Sequence, residues 1–79
     1  MIHTLLDAAV FILEGQGEPQ SPYWLASQML EGKLWRASEH DVRAALEQDI
    51  AERGDGSRFV KADDVEYALR SWIKDIADR

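Results

Sequence analysis

The 79-residue chain has no cysteine, so disulfides, thiol catalysis and thiolate metal sites are excluded, and nothing marks an oxidising compartment. It has two histidines, His3 and His40, far apart and without metal-ligand spacing around either. No glycine-rich loop follows a strand and opens a helix, so phosphate cradling has no support. Serines and aspartates fall at capping or turn positions that explain them without catalysis. The chain is too short for a buried cleft of ordinary ligand size, which argues against a small-molecule substrate, a cofactor or an enzyme. Long apolar runs are also missing. The longest, Ala8 to Leu13, is too short to span a bilayer, and no basic leader with a cleavage site precedes it. The reading is a cytoplasmic protein with no membrane partner.

Positive charge is scarce. Nine Lys and Arg against 15 Asp and Glu leave a net charge of −6, whereas a duplex-binding domain usually carries a basic face. Acid dominates up to Gly56. From Ser57 onward the signs balance, through Arg58, Lys61, Arg70, Lys74 and Arg79. At 46% hydrophobic and 30% charged, the composition is globular, and the length allows one domain over residues 1–79. A chain this short buries about 60% of its unfolded surface, so its stability is modest.

Three helices are expected first. Thr4 opens one, with Asp7 as its capping-box partner, and Leu5, Leu6, Ala9, Ile12 and Leu13 form its buried stripe. Phe11 falls outside that stripe. Gly15-Gln16-Gly17-Glu18-Pro19 reads as a loop. Ser21-Pro22 then reads as an N-cap and a proline at the first helical position. This second helix runs to about Glu31 with Gly32 as its stop. Leu25, Ala26, Met29 and Leu30 face inward, and Trp24 lies on the opposite side. Ser38 opens the third helix with Asp41 placed to cap it, and the helix runs to Arg53. Val42, Ala45, Leu46, Asp49 and Ile50 share its inner face, while Glu39, His40, Arg43, Glu47 and Gln48 face solvent.

After Gly54-Asp55-Gly56 the pattern turns β-rich. Ser57 to Lys61 and Glu66 to Arg70 read as two strands, with Phe59 inward in the first and Val65, Tyr67 and Leu69 inward around the second. Ala62-Asp63-Asp64-Val65 makes the turn without glycine, since Asp tolerates a left-handed conformation. Ser71 is placed to cap a short final helix bearing Trp72, Ile73, Ile76 and Ala77. The expected class is α+β, mostly α: a winged helix-turn-helix of three helices, a two-stranded β-hairpin and a short C-terminal helical tail. Its expected core is Leu6, Ile12, Leu13, Leu25, Met29, Leu46, Ile50, Phe59, Tyr67 and Leu69.

In this order the chain resembles the HARE-HTH family of winged helix-turn-helix domains, over roughly residues 4–72. The resemblance rests on Ala8-Ala9, Ile12-Leu13, Gly17-Glu18-Pro19, Leu25, Lys33-Leu34-Trp35, Leu46 to Ile50, Ser57 to Lys61, and Tyr67 to Trp72. The family includes the N-terminal domain of the RNA polymerase delta subunit, with similar domains in chromatin regulators and restriction-type enzymes. The resemblance implies a transcription-associated module that contacts DNA, transcription-machinery protein, or both.

Candidate contact residues follow from the frame. His40 and Arg43 lie where a recognition helix presents base-reading side chains. Glu39 and Glu47 stand four residues either side of Arg43, so a self-paired solvated face is the competing reading. Arg58, Lys61, Arg70 and Lys74 could hold phosphates from the hairpin and tail, or guard the strand edges against aggregation. Phe11 and Trp24 are candidates for a protein interface, in a homodimer or on another partner, unless the C-terminal segment covers them. An interaction adaptor using exposed aromatics and acidic surface is therefore the alternative to DNA contact.

Overall fold

Local caps start every helix before the hairpin. In the computed structural model, which describes residues 2–77 in backbone and 2–73 in side chain, Thr4 opens α1 (Leu5–Gln16). Its hydroxyl accepts from Asp7 N–H at 3.1 Å. The Asp7 carboxylate reaches back to His3 N–H at 3.1 Å, one residue beyond the reach of an ordinary capping box. Gly17 ends α1 in the left-handed region at φ 81°, where a β-carbon is disfavoured, and its N–H donates to the Leu13 carbonyl at 2.8 Å.

Ser21 and Pro22 open α2 (Pro22–Glu31) as expected, with the Ser21 hydroxyl accepting from Trp24 N–H at 3.2 Å. The end of α2 differs from the expected glycine stop. Gly32 stays right-handed, and Lys33 takes the left-handed conformation at φ 55°. Leu34 N–H then donates to the Met29 carbonyl at 2.9 Å, which satisfies one of the last free acceptors of the helix. A β-carbon at position 32 would sit 3.2 Å from the Gln28 carbonyl, so the glycine relieves crowding rather than permitting a positive φ. Left-handed backbone costs a non-glycine residue about 1–2 kcal/mol.

The full capping box forms at α3 (Glu39–Arg53): Ser38 Oγ accepts from Asp41 N–H at 3.1 Å, and Asp41 Oδ2 accepts from Ser38 N–H at 3.2 Å. Asp49, the one polar residue on the inner face, receives the hydroxyl of the buried Ser57 at 2.6 Å and the Arg53 guanidinium at 3.0 Å. Both groups are thereby satisfied beside the core. A 3₁₀ turn at Gly54–Gly56 leads into the hairpin.

Strands β1 (Phe59–Lys61) and β2 (Tyr67–Leu69) pair antiparallel, with Phe59 opposite Leu69 and Lys61 opposite Tyr67. Two expectations for the hairpin fail. Neither Asp63 nor Asp64 is left-handed; instead Asp63 Oδ1 accepts from Val65 N–H and Glu66 N–H, each at 2.8 Å, and closes the turn through its side chain. That hold keeps Val65 in the turn, 57% exposed rather than inward, and shortens β2 to three residues that are all buried. Tyr67 also exchanges two backbone hydrogen bonds with Gln20, at 2.9 and 3.0 Å, so the segment before α2 flanks β2 on its other edge. The hairpin is tied into the frame by this bridge.

Helix α4 (Arg70–Ala77) follows β2 directly, one residue before the start expected from a Ser71 cap, because Arg70 N–H still bonds the Arg58 carbonyl at 2.8 Å as the chain turns. The side chains of Lys74, Ile76 and Ala77, and residue Arg79, lie outside the described residues.

Leu13, Leu25, Met29, Leu46, Phe59, Tyr67 and Leu69 form the core, with Val42, Ala8, Ala9 and Ala26 filling between them. Leu6, Ile12 and Ile50 are half-buried against it. Two helix-phasing expectations are corrected. Leu30, expected inward, is 63% exposed, because a step of roughly 100° from the buried Met29 turns it away from the core. Trp24, expected on the opposite side, is half-buried against the core, its long indole folding back from the flank of α2. Helices α2 and α3 make the largest inter-element contact, which is the helix-turn-helix unit, and the hairpin is its wing.

Candidate nucleic-acid interface

The exposed face of α3 meets the wing through one carboxylate. Glu47 accepts a hydrogen bond from the Tyr67 hydroxyl of β2 and faces Lys61 Nζ of β1 at 3.7 Å. One turn earlier, Arg43 donates to Glu39 at 3.0 Å rather than to Glu47. The surface thus reads Glu39, Arg43, Glu47, Lys61 from the start of α3 to the wing, and all four side chains remain open to solvent. His40 is exposed on the first turn of the same helix.

Electrostatics follow from these contacts. The Tyr67 hydroxyl, then Lys61 and Arg43, hold the Glu47 carboxyl below its usual range, against a smaller opposing effect of burial. The Tyr67 phenol is pushed up from 10.0 to about 12, first by burial and then by the carboxylate it donates to. Lys61 Nζ also lies 5.9 Å from the centre of the Tyr67 ring, a favourable cation–π position.

The other wing cations hold the structure together. Arg58 reaches Asp7 of α1 at 3.1 Å and lies 5.9 Å from the Phe59 ring centre. The His3 N–H, then Arg58, keep the Asp7 carboxyl below the usual carboxylate range. Arg70 donates from Nε to the Ser57 carbonyl and from Nη2 to the Gly54 carbonyl, both at 2.8 Å, with the Phe59 carbonyl at 3.4 Å. It caps the end of α3 and the start of β1 together. Lys74, the remaining candidate, lies outside the described side chains.

Of the proposed protein-contact aromatics, Phe11 is 50% exposed. It lines one shallow depression with Trp24, Ile12 and Leu34. Sequence reasoning missed a second depression, of about 390 Å³, lined by Leu30, Lys33, Leu34, Trp35 and Arg36. It also missed the outward Tyr23, which is 68% exposed. The only sequence signal for the second depression was two cations flanking Leu34-Trp35. Among the described residues no cluster of His, Asp and Glu is arranged to hold a metal ion, and no helix is long and apolar enough to cross a membrane.

Three helices, an exposed third helix and a wing packed beside it define a winged helix-turn-helix domain. The chain matches the model of the HARE-HTH family, the helix-turn-helix domain of ASXL and restriction endonuclease proteins, over residues 3–72, and it belongs to that family. This is a helix-turn-helix family of DNA-binding type and not a typically catalytic one, which supports a general nucleic-acid- or transcription-associated role. No curated protein and no solved structure matches the chain.

Proposed function

We propose that this single domain is a transcription-associated module that contacts duplex DNA weakly through α3 and the wing, alone or together with RNA polymerase. The observation that supports it best is the placement of Arg43 and Lys61 on either side of Glu47, exposed where α3 meets β1. Both can turn from a carboxylate to a phosphate without disturbing the core. His40 adds a base-edge donor one turn before Arg43, and Arg58 and Lys74 extend the phosphate contacts. Arg70 contributes chiefly by holding the hairpin in place.

Each cation must exchange an internal carboxylate for a phosphate, so the gain per contact is small. Few phosphates are neutralised, and log K should fall against log salt with a slope of about −2 to −4. Fluorescence anisotropy of a labelled duplex at low and moderate salt tests this. Lys61→Glu should weaken binding regardless of DNA sequence. Absence of binding at low salt, or binding that survives both Lys61→Glu and Arg43→Glu unchanged, would refute the reading.

A second reading, an adaptor that binds protein, draws on the half-exposed Phe11 beside Trp24. Exposed aromatic anchors are typical of interfaces. Because Trp24 also packs on the core, Phe11→Ser alone is the clean variant. It should lower the apparent mass in size-exclusion chromatography if the wild type is a two-fold dimer. A wild type that runs as a monomer argues against the dimer.

A further inference from the structure

Seven cations have described side chains, and five of them, Arg43, Arg53, Arg58, Lys61 and Arg70, face a carboxylate oxygen at 3.8 Å or less. Among the described residues the remaining two, Lys33 and Arg36, have no such partner. Both line the same depression of about 390 Å³, whose other walls are Leu30, Leu34 and Trp35. Leu30 is 63% exposed there, at the end of a helix whose inner face is already satisfied by Leu25, Ala26 and Met29. An otherwise acidic domain thus concentrates its unneutralised positive charge around one apolar hollow.

The backbone under this hollow is costly. Lys33 occupies a left-handed position that glycine would fill without strain, while the neighbouring glycine sits at a right-handed one. Sites that keep a strained residue generally do so for its side chain.

We infer that the turn between α2 and α3 is a docking groove for an acidic, amphipathic peptide segment of a protein partner. Apolar side chains of the segment fill the space over Leu30, Leu34 and Trp35, and its carboxylates pair with Lys33 and Arg36. The apolar walls favour a peptide over a nucleic-acid backbone, which offers phosphates at this spacing but nothing to cover an exposed leucine. A short peptide also lies within one screening length of the two cations, about 8 Å at physiological salt, and so escapes much of the domain's overall negative field. This inference does not rest on the proposed DNA contact, which uses other residues.

The test is titration of the ¹⁵N-labelled full chain with a synthetic dodecapeptide of alternating pairs of Glu and Leu, followed by amide shifts and peptide anisotropy. Controls are a peptide with Ser for Leu, one with Lys for Glu, and a short duplex DNA. Only the Glu/Leu peptide should move the amides of residues 30–36. Arg36→Glu should weaken it about tenfold or more, as expected for loss of a charge-assisted contact. Lys33→Gly should weaken binding while raising the melting temperature, a pairing that simple destabilisation cannot produce. The inference is overturned if the Ser-containing peptide binds equally well or if those amides respond to duplex DNA instead. It also fails if they shift on concentrating the protein alone, which would make a second copy the occupant.

Discussion

Arg70 is the residue whose role the structure changes most, and its replacement gives a quantitative test. Arg70→Ala removes two 2.8 Å charge-assisted hydrogen bonds, to the carbonyls of Ser57 and Gly54, and a weaker one to Phe59. Bonds to a charged group contribute about 1.5–3 kcal/mol each when sheltered. The side chain is 31% exposed, so water can replace part of what is lost; the Asp55 contact at 3.8 Å, to a fully exposed carboxylate, adds nothing to the sum. Halving the two main bonds leaves about 2–3 kcal/mol. For a domain of this size each kcal/mol shifts the melting temperature by about 4–8 °C, so a fall of about 10–20 °C is expected. Arg70→Lys should recover less than half, because a single ammonium cannot span two carbonyls from one stem. Thermal unfolding followed by circular dichroism measures both variants. A melting temperature for Arg70→Ala within about 2 °C of wild type would show that the guanidinium does not brace the hairpin.

The other expectations concern the core and titration. Leu46→Ala, at a fully buried site on α3, should cost about 2–5 kcal/mol in urea unfolding, enough to unfold much of the population. The carboxyls of Asp7, Glu47 and Asp63 are held below their ordinary values of 3.8, 4.5 and 3.8. The stability they contribute is therefore present above those values and lost as pH falls through the lower folded ones. The urea midpoint should hold down to about pH 5 and then drop, and a midpoint still level in strong acid would contradict this. In a Tyr23→Phe background, ultraviolet absorbance should report ionisation of Tyr67 near pH 12, with stability lost as pH rises from 10.0 towards that value. Normal ionisation near 10.0 would show that the Glu47 contact is absent.

Helix starts were legible because a cap involves residues three apart: Thr4 with Asp7, Ser21 with Trp24, Ser38 with Asp41. The order of helices and hairpin was legible for the same reason, since glycines and β-rich runs act locally. The partners of polar side chains were not. Glu47 meets Tyr67 from 20 residues away, and Ser57 meets Asp49 from eight, so neither contact follows from spacing along one element. Arg70 looked like a wing cation because sequence shows its charge and hides the carbonyls converging on it. Leu30 and Trp24 went astray at the edges of an apolar stripe. There a small rotation decides exposure for leucine, and a long indole can fold either way.

The claim that α3 and the wing together form the DNA-contact face is tested most directly by Glu47→Gln. The amide keeps an acceptor for the Tyr67 hydroxyl and nearly the same shape, so the fold should persist. It removes the negative charge standing between Arg43 and Lys61. If phosphates approach there, affinity for duplex DNA at low salt should rise about five- to tenfold, the size expected for deleting one nearby repulsive charge at the surface. Unchanged or weaker binding by the folded variant would place any DNA contact elsewhere on the domain.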